Sequence, residues 1–231
     1  MQGRQGICGH MHEGGKMKGQ ELNEKATEYL IQKDYGNAMK YYLAASEEGN
    51  WLAMYNIACM HYFGDGTPRD PEKALAWFMK ASDAGDPEAA SRAGTILLSE
   101  EGMKDPERAF ACFLKAAEAG SLSGMGNAAV CLLEGTGTVQ DTEAGLAWME
   151  KASSKGNGIA SLKMGEFFEN GTYVSKDEKK AAEYYLRGLN QKYAPAIEKM
   201  AALYEEGRGV EKNPAKAAEL RKLAEETPDE D

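Results

Sequence analysis

The chain has 231 residues, 42% of them hydrophobic, which is enough to bury a substantial core. Its net charge of −10 argues against binding a nucleic-acid backbone or an anionic membrane, because both require a basic surface. No apolar run approaches the roughly 20 residues of a membrane-spanning helix, and the N-terminal region lacks the apolar core of a signal peptide. We therefore expect a soluble, cytoplasmic protein that binds neither nucleic acid nor membrane.

The N-terminal segment, residues 1–18, is Gly-rich and polar and is predicted to be a disordered extension. Cys8, His10 and His12 are spaced as adjacent metal ligands could be, but no second ligand cluster accompanies them. An alternative is that the native chain starts at Met17 and that residues 1–16 are an unfolded extension. We predict no metal site and no cofactor.

Residues 19–50 predict a divergent helix pair, with a first helix from about Glu21 to Gln32. Its second helix carries Ala38, Tyr41 and Ala45, which match the small and large positions of the repeats that follow. Terminal repeats are often atypical because they cap the stack.

From residue 51 onwards the sequence repeats at offsets of 36, 35, 36 and 36 residues. The repeats span 51–86, 87–121, 122–157, 158–193 and 194–226, and residues 227–231 form an acidic tail. We number repeat positions by the first of these copies. Four positions hold only Ala or Gly: Ala53, Ala89, Gly124, Ala160 and Ala196; Ala58, Gly94, Ala129, Gly165 and Ala201; Ala74, Ala109, Gly145, Ala181 and Ala217; Ala81, Ala116, Ala152, Gly188 and Ala224. Such residues allow close helix approach, so they predict stacked helix crossings.

Within each repeat, glycines and a capping residue predict a turn between two helices. Gly-x-Gly follows the first helix at positions 64 and 66, although Tyr173 replaces the second glycine once and the second repeat retains only Gly102. The second helix then starts after an N-cap residue, often followed by Pro. These capping residues are Asp70, Asp105, Asp141, Asp177 and Asn213.

This pattern of small residues, Gly-x-Gly and Asp-x-x-[Lys/Arg]-Ala-x-x-Trp-x-x-Lys-Ala closely resembles the Sel-1-like repeat, a relative of the tetratricopeptide repeat. The resemblance implies an all-α, right-handed superhelical solenoid of about six antiparallel helix pairs. It also implies a concave groove lined by first helices, and an adaptor or scaffold role. One branch of the family is secreted, disulfide-rich and linked to penicillin binding.

The four cysteines depart from that branch. Cys8, Cys59, Cys112 and Cys131 form no C-x-x-C spacing, and no repeat contains two of them. They predict free thiols in a reducing compartment.

Repeat positions 55, 59, 62 and 63 lie off the small-residue stripe and are predicted to line the groove. The groove would be aromatic and apolar in its N-terminal half and acidic in its C-terminal half. Its predicted residues are Tyr55, Cys59, Tyr62, Phe63, Leu98, Val130, Leu133, Glu166, Glu169, Glu198 and Glu205. Such a groove suits a partner protein or peptide with an apolar anchor and a basic segment. The alternative is that the aromatics pack between repeats and the glutamates form a solvated face.

No paired acids or nucleophile–base arrangement indicate catalysis, so we predict a non-enzymatic protein. The Gly-x-Gly turns lack the preceding strand of a dinucleotide site and are interpreted as structural. His61, Trp77 and Trp148 occupy positions that predict packing. The alternative functions are hydrolase activity of the penicillin-binding branch, or a purely structural oligomer subunit associating through Tyr55 and Tyr62. We predict a monomer.

Overall fold

The computed structural model describes residues 19–227, which are helical throughout and contain no strand. The predicted all-α fold of antiparallel helix pairs is confirmed, with six pairs in this range. The predicted N-terminal extension, including Cys8, His10 and His12, and most of the acidic tail lie outside the described residues. The chain divides into two compact units after Ala93, which we describe separately.

Unit 1 contains two complete helix pairs and the start of a fifth helix. The helices are α1 (Gln20–Ile31), α2 (Tyr35–Glu47), α3 (Trp51–Phe63), α4 (Pro71–Asp83) and α5 (Pro87–Ser99), the last of which continues across the unit boundary. Ala26, Ala38 and Ala45 are fully buried beside Tyr42 and Ile57, which form the centre of the core. The divergent first pair therefore shares one core with α3.

Unit 2 begins within α5 and continues through a 3-10 turn, Glu101–Met103, into seven further helices. These are α6 (Pro106–Glu118), α7 (Leu122–Glu134), α8 (Thr142–Ser154), α9 (Gly158–Asn170), α10 (Glu178–Asn190), α11 (Ala194–Glu206) and α12 (Pro214–Glu226). None of the helices in the described part of the chain is long and apolar enough to cross a membrane.

The small-residue positions are helix crossings, as predicted. All twenty of these Ala and Gly residues are buried. A Cβ atom built on Gly165 would lie 2.4 Å from the Tyr185 ring, and one on Gly188 would lie 2.5 Å from the Ala196 Cβ. The glycines thus leave no room for a methyl group, because neighbouring helices pack at native density there.

In the five repeats from residue 51 onwards, the second helix is started by the predicted capping residue, whose side chain accepts a hydrogen bond from a first-turn amide. The capping residue also donates its own backbone N–H to the carbonyl of position 61, in the last turn of the preceding helix. These bonds join Asp70 to His61 (2.8 Å), Asp105 to Leu97 (2.9 Å), Asp141 to Leu132 (2.8 Å), Asp177 to Phe168 (2.9 Å) and Asn213 to Tyr204 (2.7 Å). One residue thereby ends one helix and begins the next.

The Gly-x-Gly loops have the predicted left-handed backbone, with φ of +77° at Gly64 and +71° at Gly66. The second glycine also rests against the second helix of the preceding repeat. A Cβ on Gly137 would lie 1.9 Å from the Pro106 carbonyl oxygen, and one on Gly209 would lie 2.1 Å from that of Glu178. The loops are structural.

Candidate partner-binding surface

In unit 1, the predicted groove residues lie on α3 and are partly accessible. Phe63 is 56% exposed, whereas Tyr55, Cys59 and Tyr62 are half-buried. Tyr62 contacts Phe63 edge to face at 5.2 Å between ring centroids, and the Arg69 guanidinium lies 5.0 Å from the Tyr62 ring centroid. Aromatic residues beside an arginine are the residue types that dominate binding energy at protein interfaces.

Tyr55 is less available than Phe63, because its ring packs edge to face on Phe78 at 5.1 Å. Its hydroxyl accepts a hydrogen bond of 3.2 Å from Nε of Arg92 on α5. Burial raises the pKa of the Tyr55 hydroxyl above its usual value. Tyr55 therefore packs between helices, as in the packing alternative left open by the sequence, and its contribution to partner binding stays a prediction.

The described cysteines are free thiols, as predicted: Cys59, Cys112 and Cys131. Burial raises the pKa of the Cys59 thiol to about 12 and that of Cys131 to about 11. A thiol with such a pKa stays protonated at neutral pH and is a poor nucleophile.

Among the apolar residues predicted for unit 2, Leu98 and Val130 are half-buried on α5 and α7. Leu133 is 2% exposed, so its assignment to the groove is corrected: it belongs to the core. It fills the space above Gly145, where a Cβ atom would lie 2.8 Å from the Leu133 Cγ. A glycine in the neighbouring helix thus admits a large side chain from a position that is accessible in other repeats.

Glu169 is likewise a structural residue, because its side chain is only 12% exposed and has three partners. It accepts hydrogen bonds from the Tyr185 hydroxyl at 2.6 Å, Arg208 Nη1 at 2.9 Å and Lys199 Nζ at 3.3 Å. Burial raises the pKa of the Glu169 carboxyl, but these hydrogen bonds and the Lys199 charge outweigh burial and hold the pKa below its usual value. Glu169 therefore joins α9, α10, α11 and the following loop.

The remaining predicted glutamates stay near the surface. Glu198 is exposed, Glu166 is half-buried, and half-buried Glu205 forms an ion pair with Arg221 on α12. Glu166 and Glu198 border an open depression between α9 and α11 with a volume of ≈ 340 Å³. Its lining consists of Leu162, Glu166, Pro195, Glu198, Lys199 and Ala202.

Repeat position 56 was missed by the sequence interpretation. In two places its side chain reaches back to the first helix of the preceding repeat: Arg92 contacts Tyr55 in unit 1, and Lys199 contacts Glu166 and Glu169 in unit 2. The signal was available in the repeat alignment, which is polar at this position in every copy. These residues are Asn56, Arg92, Asn127, Lys163 and Lys199.

The other residues singled out by sequence have packing roles. His61 is half-buried with no hydrogen-bond partner for Nδ1 among the described residues, and burial lowers its pKa. Trp77 and Trp148 are half-buried, with lysine ammonium groups 4.0 Å and 4.2 Å from their ring centroids. The described part of the chain holds no cluster of three His, Cys, Asp or Glu residues that could bind a metal ion.

The Sel1 repeat family model matches six segments: residues 27–50, 51–86, 87–121, 122–157, 158–193 and 194–225. The chain belongs to the Sel1 repeat family. Sel1 repeat proteins generally mediate protein–protein interaction and are typically non-enzymatic scaffolds.

Solved structures show the same Sel1 repeat fold. A protective antigen of uropathogenic Escherichia coli with an SLR fold is similar over 91% of this chain, with 25% identity and a TM-score of 0.80, and the match covers 46% of that protein. A Sel1 repeat protein from Oxalobacter formigenes is 27% identical, with a TM-score of 0.78, over 88% of this chain and 83% of its own.

A curated plant relative matches a shorter segment. It is the ERAD-associated E3 ubiquitin-protein ligase component HRD3A of Arabidopsis thaliana, which is 46% identical over 52 residues. These residues are 22% of this chain and 8% of the plant protein, so the chain spans a small part of that relative's length.

Proposed function

We propose that this protein is an adaptor or scaffold that binds a partner protein or peptide through the exposed side chains of its first helices. The observation that carries the proposal is the exposure of the Phe63 side chain. It is 56% exposed at the end of α3 and lies beside Tyr62 and Arg69 rather than in a helix crossing. A rigid helix that presents an aromatic residue loses little entropy on binding.

The side chains on the first helices indicate what kind of partner would bind. In unit 1 the surface offers aromatic rings, which suit an apolar anchor residue. In unit 2 it offers the carboxylates of Glu166 and Glu198, which suit a basic segment. The proposed partner therefore carries both features, and a cytoplasmic location is proposed from the free thiols.

The relatives support an assembly role. HRD3A is a component of a ubiquitin ligase, so at least one protein with similar repeats belongs to a multiprotein complex. The protonated state of Cys59 and Cys131 agrees with a non-catalytic role for these thiols.

The test compares partner capture by wild type, Phe63→Glu and Leu43→Glu from the source cells. Leu43 is the matched control because it is also in unit 1 and 39% exposed, but lies on the second helix α2. The proposal expects a specific partner that Phe63→Glu loses and Leu43→Glu retains, with both variants equally helical by circular dichroism. Equal capture by both variants, or loss with Leu43→Glu alone, would contradict it.

A further inference from the structure

The depression between α9 and α11 lies entirely within unit 2 and has two kinds of lining. Its volume of ≈ 340 Å³ is at the lower end of the range for ligand pockets, about 300–1,000 Å³. Leu162, Pro195 and Ala202 provide apolar surface, and Glu166 and Glu198 provide carboxylates. An apolar surface bordered by carboxylates suits a group that is apolar along its length and cationic at its end.

The cation already present, Lys199, is neutralised mainly from inside the protein. Its Nζ lies 3.3 Å from the Glu169 carboxylate but 3.7 Å from that of Glu166. Glu169 is fixed in turn by Tyr185 and Arg208. Glu169 also pairs with Arg208, which pairs in turn with Glu206, so these two carboxylates together balance Lys199 and Arg208. The contact of Lys199 with Glu166 is beyond hydrogen-bonding distance.

The two outer carboxylates retain acceptor capacity. Glu198 is exposed and has no ion pair within residues 19–227, and the side chain of Glu166 is 33% exposed. Each ionised carboxylate has about four lone-pair sites, so both can accept further hydrogen bonds from a ligand.

We propose that this depression binds the side chain of an arginine in a partner peptide. The arginine methylenes cover Leu162, Pro195 and Ala202, and the guanidinium donates to Glu166 and Glu198. Arginine fits better than lysine, because its planar guanidinium is more weakly hydrated and can donate to two carboxylates at once. The inference rests on the proposed function and specifies the basic feature of its partner.

The test titrates the ¹⁵N-labelled full chain with the peptide acetyl-Gly-Ser-Leu-Arg-Ser-Gly-amide and with versions that carry Lys, Gln or Glu in place of Arg. The expected result is saturable amide shift changes on α9 and α11, with affinity falling from Arg to Lys to Gln and no binding of the Glu peptide. Loss of the charge-assisted hydrogen bonds in Glu166→Gln/Glu198→Gln should weaken arginine-peptide binding about tenfold or more.

The matched control is Glu183→Gln/Glu219→Gln. It removes the same charge from exposed positions on the second helices α10 and α12, and it should leave affinity within about twofold of wild type. Equal binding of the Arg and Gln peptides, equal weakening by both double variants, or shift changes away from α9 and α11 would each overturn the inference. Thermal melts confirm that the variants are folded.

The titration and the capture experiment fail independently. If Phe63→Glu abolishes partner capture but the depression does not select arginine, this inference is wrong and the proposed function stands. If arginine selectivity is found but Phe63→Glu retains the partner, the aromatic surface of α3 is excluded as the capture site, and the arginine site on the first helices α9 and α11 remains.

Discussion

Helices α3 in unit 1 and α11 in unit 2 are the same element built with two different surfaces. Both end at a glycine with a φ of +77°, Gly64 and Gly207. In both, the next capping residue, Asp70 or Asn213, bonds to the carbonyl of position 61. The helical frame, meaning the small-residue crossings, the caps and the loop glycines, is thus common to both units.

The side chains at the predicted groove positions differ completely. Positions 55, 59, 62 and 63 hold Tyr55, Cys59, Tyr62 and Phe63 in α3, and Glu198, Ala202, Glu205 and Glu206 in α11. Ring contacts hold Tyr55, Tyr62 and Phe63, whereas ion pairs to Arg221 and Arg208 hold Glu205 and Glu206. Fold is therefore specified by residues that the two helices share, and the proposed binding chemistry by residues that they do not.

Changes to the loop glycines should destabilise both units strongly. In Gly66→Ala and Gly209→Ala, a new Cβ would lie 2.2 Å from Tyr35 Cβ and 2.1 Å from the Glu178 carbonyl oxygen, each on a left-handed backbone. We expect a loss of about 3 kcal/mol in the free energy of unfolding for each, measured by urea denaturation. Gly102→Ala is the control, because no atom lies within 4 Å of its Cβ, and it should be nearly neutral. An unchanged free energy of unfolding in Gly209→Ala would contradict the claim that both units share this helical frame.

The next largest difference in stability loss is expected between the buried carboxylate Glu169 and the more accessible carboxylate Glu166. Glu169→Ala removes the acceptor of the Tyr185 hydroxyl and the nearer carboxylate partner of Lys199, and it leaves Arg208 with Glu206 alone. We therefore expect a loss of about 2 kcal/mol in the free energy of unfolding. Glu166→Ala removes only a loose contact and should lose about 0.5 kcal/mol or less. Equal losses in thermal or urea unfolding would show that Glu169 belongs with the surface carboxylates after all.

A smaller effect on stability is expected at two lysines whose backbone is left-handed. Lys33 in unit 1 has a φ of 60° and Lys192 in unit 2 has a φ of 58°, a conformation that glycine adopts without a steric penalty. Lys33→Gly and Lys192→Gly should each stabilise the chain by about 0.5 kcal/mol, since relief of strain exceeds the greater freedom of the unfolded chain. Destabilisation on urea titration would contradict this.

The smallest predicted effect is a pH dependence from His61. Burial, followed by the charge of Lys73, lowers its pKa, although Asp70 opposes this. His61 therefore binds a proton more readily in the unfolded chain than in the folded one. Its contribution to the free energy of unfolding is fully present above about pH 6.5 and decreases as the pH falls towards the lowered pKa of the folded state. His61→Leu, which matches Leu97 and Leu132 at this position, should reduce the stability difference between pH 7.5 and pH 5.5. An unchanged difference would contradict the argument.

The sequence predicted the helical frame because its signals are local and repeat at every copy. It could not show that Leu133 is buried, because that depends on Gly145 in the neighbouring helix. Nor could it separate Glu169 from Glu166, since the partners Tyr185 and Arg208 are distant in sequence. Division into two compact units also had no sequence signal, because the repeat pattern is continuous through α5.

The central claim is that the first helices carry the binding surface. The most direct test is photo-cross-linking in source cells with p-benzoylphenylalanine at four exposed sites, two on first helices (Phe63 and Glu198) and two on second helices (Leu43 and Glu183). We expect covalent adducts with the same partner from Phe63 and Glu198 and none from Leu43 or Glu183. Adducts from the second-helix sites, or equal yields from all four, would contradict it.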